Sequence, residues 1–208
     1  MRTNNTIWTL ALAAAAVSAV SLTGCASSDQ QRMDVRESAA SLRKTLNTAP
    51  AQIDSTMNAL YQATSGDDTN RLARYRDFKT KFSAFKENGR YVADHSKQAR
   101  AHSAEYFKEW AAESVAADPS KKVQMTPVME GRFNNYETAL SYLDGGRDSY
   151  NALLADLSDI EKALDADLKQ ANSAAVEKKV NAAKLHSIDL KNYCAVLTSR
   201  IDSSLSTK

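Results

Sequence analysis

Glycine and proline are scarce in this 208-residue sequence, at six and three, and there are two cysteines. A sandwich or barrel of short strands needs frequent turn residues, so the shortage argues against β architecture and for long helices built from the abundant Ala, Leu, Lys, Glu, Asp and Ser. Two cysteines cannot build a disulfide framework. Charge of one sign is missing as well. With 27 basic residues against 25 acidic ones, the chain has no electrostatic footprint for nucleic acid. Also absent are His-Glu-x-x-His, the paired Glu-x-x-His of di-iron bundles, an EF-hand loop and a phosphate-cradling glycine loop. Gly145-Gly146 falls inside a helical pattern and lacks the lysine and hydroxyl partners such a loop requires. We therefore expect no catalytic residue, no metal and no cofactor.

No apolar run is long enough to stay in a membrane. Ile7 to Val20 is an uncharged stretch rich in Ala, Leu and Val behind the cationic start Met1-Arg2. A spanning helix needs about 20 such residues, and this run of 14 gives way to Ser, Thr and Gly. That is the layout of a cleaved export signal over residues 1–24. Leu22-Thr23-Gly24-Cys25 then resembles the lipobox of bacterial lipoproteins. The resemblance implies cleavage between Gly24 and Cys25, and a Cys25 carrying thioether-linked diacylglycerol and an N-acyl chain such as palmitate. More than one acyl chain holds a protein firmly on a membrane. Ala26 is not the aspartate that retains enteric lipoproteins in the inner membrane, so the resemblance implies an outer-membrane address facing the periplasm. Cleavage removes Arg2 and no acid, leaving 26 basic against 25 acidic residues. Cys194 is then the single free thiol, and its neighbours Leu190, Tyr193 and Leu197 favour a buried small side chain over a reactive one.

Residues 25–33 read as a short lipidated tether, and residues 34–205 as one helical domain. A first helix is expected from about Asp34 to Ala63 on the spacing of Leu42, Leu46, Ile53, Met57 and Leu60, with a kink or restart at Pro50. The turn cluster Thr64 to Asp68 precedes a second, which runs to about Ala117 with Leu72, Tyr75, Phe78, Phe82 and Phe85 inward. Val92, Ala99, Tyr106 and Trp110 continue that stripe more thinly. The chain is expected to reverse between Pro119 and Pro127, Pro127 taking the first position of helix three. Phe133, Tyr136, Leu140, Leu143, Tyr150, Leu154, Leu157, Ile160, Leu164 and Leu168 form its seam, broken by one seven-residue step across Gly145-Gly146. That pair is either a weak point or a seat for a bulky neighbour. Asn172-Ser173 caps a fourth helix whose Val176, Val180, Ala183, Leu190, Leu197 and Ile201 face inward. The fold class is all-α: an elongated antiparallel bundle in which helices two and three form a coiled-coil-like hairpin and helices one and four pack at its open end.

Tyr106-Phe107-Lys108-Glu109-Trp110 and the run Leu154-x-x-Leu157-x-x-Ile160-x-x-x-Leu164-x-x-Asp167-Leu168 resemble an uncharacterised family of exported bacterial helical proteins, catalogued only as a domain of unknown function. The resemblance implies a helical fold and supplies no site residues. His95 and His102, seven residues apart, are separated by roughly 10 Å of helix rise, too far to share a metal. His102 with Glu105 and Glu109, and the acidic run Asp156, Asp159, Asp165 and Asp167, read as solvated faces. Phe78, Phe82, Phe85, Tyr106 and Trp110 either fill the core or line a groove. The expected function is a lipid-anchored, non-enzymatic spacer or protein-docking scaffold of the cell envelope, with Lys121 and Lys122 at a docking tip for another envelope protein. The alternative is a carrier or chaperone holding lipid or unfolded outer-membrane protein between its helices.

Overall fold

In a computed structural model, residues 26–65, 68–116 and 119–206 are described. Among them the chain is helical, with no strand: α1 (Ala26–Ser65), α2 (Arg71–Ala116), α3 (Pro119–Ala166) and α4 (Ala174–Ser206). Short 3-10 turns, Asp68–Asn70 and Leu168–Asn172, lie before α2 and α4. The all-α antiparallel bundle is the architecture, and the closest packing is between α1 and α2 and between α3 and α4.

The order is up, down, up, down. Along α1 and α2, the Thr56 hydroxyl meets Lys81 O, Thr45 meets His95, and the Asp34 carbonyl meets His102. Rising numbers on one helix face falling numbers on the other. The same opposition links α2 to α3 through Tyr75 with Glu161 and Arg100 with Asp144, and α3 to α4 through Asp156 with His186. Both 3-10 turns therefore lie at one end. The start of α1, the end of α2 and the start of α3 lie toward the other, and α4 ends short of it, its Asp202 pairing with Arg43 of α1.

The core explains why this order holds. On α2, Arg71, Tyr75, Phe78, Phe82 and Phe85 are buried, and Gly89, Val92, Ala99 and Ser103 extend the same alternation of three-residue and four-residue steps apart from one seven-residue step after Val92. Phe78 and Phe82 are stacked at 5.7 Å between ring centres, and Phe85 leans on Tyr150 of α3 at 5.0 Å. Ile53, Thr56 and Leu60 of α1, Leu153, Leu157, Ile160 and Leu164 of α3, and Val176 and Ala183 of α4 close the same core. All five inward residues expected on α1 and all six expected on α4 are buried.

Several expectations need correction. Helix α1 starts at Ala26, so the stretch read as a featureless spacer is its first turns. The helix also continues through Pro50 with no fresh start there, although proline cannot make its hydrogen bond. Helix α3 starts at Pro119 rather than Pro127, so proline's fixed φ begins the helix at the earlier position. Leu72 is half exposed, because Arg71 holds the seam position and puts its neighbour outside. Leu153 is the fully buried leucine beside the half-buried Leu154. At Gly145-Gly146 the expectation holds: α3 is continuous there, and the bulky neighbour is Tyr193 of α4, whose ring would stand 3.0 Å from a Cβ on Gly145.

The turn end is closed by polar contacts. Ser173 caps α4, its Oγ accepting from Val176 N at 3.3 Å. Arg71, 8% exposed, donates to Leu168 O at 3.4 Å. With its amide oriented to satisfy both neighbours, Asn172 donates to Thr64 O at 2.6 Å and accepts from Arg71 at 2.9 Å. One side-chain amide thus ties α1, α2 and the second turn together.

Gly89 and Gly131 give a paired test. A Cβ at Gly89 would collide with the Tyr150 ring, whereas nothing lies within 4 Å of one at Gly131. Gly131→Ala is expected to stabilise the protein by about 0.5–1 kcal/mol through helix propensity. Gly89→Ala gains the same propensity but must displace a packed ring, for a net loss of about 1–2 kcal/mol. Urea unfolding midpoints of the two variants should move in opposite directions.

Candidate functional site

Among the described residues, the three histidines each bond to a neighbouring helix. The Thr45 hydroxyl donates to Ser41 O, which leaves its oxygen to accept from His95 Nδ1 at 3.0 Å. His102 Nδ1 donates to the Asp34 carbonyl at 3.2 Å. Both histidines of α2 thus turn toward α1 and not toward each other. Glu105 is exposed and Glu109 half-buried on the same helix. Among the described residues, no three His, Cys, Asp or Glu side chains gather as a metal site would require.

Most of the acidic run faces outward as expected, and three of its carboxylates also bond to side chains of neighbouring helices. Asp156 accepts from His186 Nδ1 at 2.7 Å, and Asp159 accepts from Lys179 at 2.7 Å and Lys162 at 3.4 Å. The Lys179 hydrogen bond, ahead of Lys162, holds the Asp159 carboxyl below its usual range. Asp165 pairs with Lys79 of α2 at 3.1 Å. Asp167 caps the second 3-10 turn by accepting from Lys169 N at 2.9 Å. Asp156 is half-buried beside His186, whereas the Asp159 and Asp165 pairs are exposed and contribute at most about 1 kcal/mol each. They select pairing more than they stabilise it. Periodicity on a single helix could not have revealed these partners, which lie on neighbouring helices.

The aromatic set divides. Phe78, Phe82 and Phe85 are buried at 0%, 0% and 4% exposure, so they fill the core and line no groove. Tyr150 is buried enough for its hydroxyl to be pushed up to about 12. Tyr106 packs edge-on against Phe107 at 5.5 Å, and the Trp110 side chain lies outside the description. A groove of about 400 Å³ between α1 and α2 is open to solvent and lined by Thr48, Gln52, Ser55 and Lys81 among others. It offers an apolar ligand little of the enclosure that binding pockets provide.

Gly24 and Cys25, the expected cleavage and lipidation residues, lie outside the described residues. Lys121 and Lys122 fall in the first turn of α3, and their side chains lie outside the description. Cys194 is buried at 5% exposure, and desolvation pushes its thiol up to about 11. No described helix is long and apolar enough to cross a membrane. No family model, curated protein or solved structure matches the chain.

In a Cys25→Ala chain, Cys194 is the single thiol. A buried and protonated thiol reacts slowly, so Ellman's reagent should modify the native protein far more slowly than the urea-unfolded one. Immediate stoichiometric reaction without urea would contradict this burial.

Proposed function

We propose that this protein is a lipid-anchored, non-enzymatic scaffold of the bacterial envelope, held on the periplasmic face of the outer membrane by acyl chains on Cys25. The observation that carries the reading is Leu22-Thr23-Gly24-Cys25, set after an uncharged apolar run and directly before the first residue of α1. A lipobox ends an export signal, and a body that folds immediately after it needs no further targeting segment.

The physical character of the body supports a scaffold. Its core is filled by its own side chains, and its histidines and Asp156, Asp159 and Asp165 bond to neighbouring helices. A continuous helix of 48 residues extends about 70 Å, the length of a spacer rather than of a compact enzyme. We propose that such a body separates or joins two envelope components.

Cys25→Ala tests the reading, because it removes the sulfur that carries diacylglycerol and leaves the described bundle unchanged. The wild-type protein should fractionate with membranes and partition into detergent, and the variant should appear in the soluble periplasmic fraction. A variant that stays membrane-bound contradicts the lipoprotein assignment.

A further inference from the structure

The helix order bears on where a docking tip can be. Ala26 opens α1, and the Asp34 carbonyl lies beside His102. Counting back along α1 while α2 runs forward puts Ala26 level with about residue 110. Helix α2 continues to Ala116, roughly 9 Å further at 1.5 Å per residue. The start of α3, with Lys121 and Lys122, is at the same end. Residue 25 immediately precedes Ala26, so an acylated Cys25 draws this whole end toward the bilayer.

We propose that the α2–α3 end of the bundle rests on the phospholipid headgroups of the anchoring membrane, with Lys121 and Lys122 meeting lipid phosphates, and that the two 3-10 turns form the end presented to the envelope. This rests on the lipid-anchor reading above. Between α1's starting level and the early turns of α3 the sequence carries Trp110, Val115, Val123 and Met125 beside the lysine pair, the mixture of aromatic, apolar and cationic residues that favours a membrane interface. Glu113 and Asp118 share the stretch, so the acyl chains, and not net charge, supply the hold. The lysines then orient the end already delivered there. The tip thereby ceases to be a reach toward a distant protein. That role passes to the turn end, about 70 Å away along α3.

The test uses the full acylated protein in vesicles of phosphatidylethanolamine and phosphatidylglycerol containing a headgroup-labelled acceptor lipid. A donor dye is placed by Ser120→Cys or by Lys169→Cys in a Cys194→Ala background. Energy transfer should be strong from position 120 and near background from position 169. Lys121→Glu with Lys122→Glu should lower transfer from position 120 while the protein still floats with the vesicles. Equal transfer from both positions, or stronger transfer from 169, overturns the orientation while leaving the anchor standing. Transfer unchanged by the charge reversal overturns the phosphate contact. Protein that fails to float with the vesicles removes the anchor and this proposal together.

Discussion

The aromatic ladder along one face of α2 is the contact on which the other helices depend. Phe78, Phe82 and Phe85 occupy consecutive turns, are nearly or wholly removed from water, and meet Tyr150 at the ladder's lower end. Burying a phenylalanine stabilises by about 1.5–3 kcal/mol. Truncating one to alanine in a packed core costs about 3–5 kcal/mol. An exposed ion pair such as Arg43 with Asp202, its side chains 46% and 40% exposed, is worth at most about 1 kcal/mol. The ladder sets the stability, and the ion pairs refine which partner each helix accepts.

Below the ladder the seam changes character. Gly89, Ala99 and Ser103 replace large rings, and Ala99 and Ser103 are still buried. Small seam residues allow close approach but bury little area, so each turn there contributes less. The bundle is anchored at its turn end, where the ladder, the leucines of α3 and the Arg71–Asn172–Thr64 contacts coincide. The opposite end is held more by histidine and arginine bonds, such as His102 to Asp34 O and Arg100 to Asp144. The large buried side chains are thus concentrated at the turn end, and the end where α1 starts is held by smaller contacts.

Much of this was legible from residue spacing. The stripes of α1 and α4 could be read because their apolar residues are separated by polar ones that fix the phase. Where two candidates adjoin, the phase is ambiguous: Arg71 beside Leu72 and Leu153 beside Leu154 were resolved only by packing, and an arginine took the seam because Leu168 O and Asn172 receive its guanidinium. Helix starts were misplaced by the proline cues, since Pro50 sits within a helix and Pro119, not Pro127, begins one. The bulky neighbour of Gly145 could be anticipated as a type but not as Tyr193, and Tyr150 against Gly89 left no trace in spacing. The straps from Asp156, Asp159 and Asp165 required a second helix to be seen.

Antiparallel order brings the start of α1 and the end of α2 together, which fixes the end that an N-terminal anchor would hold. Spin labels at Gln30→Cys and Lys108→Cys, positions exposed on α1 and α2, measure this directly. The order described gives a separation of one interaxial spacing, about 10 Å, plus the two label arms. A separation approaching the full length of a helix, about 60 Å for the 40 residues of α1, would contradict the fold order and the orientation that follows from it.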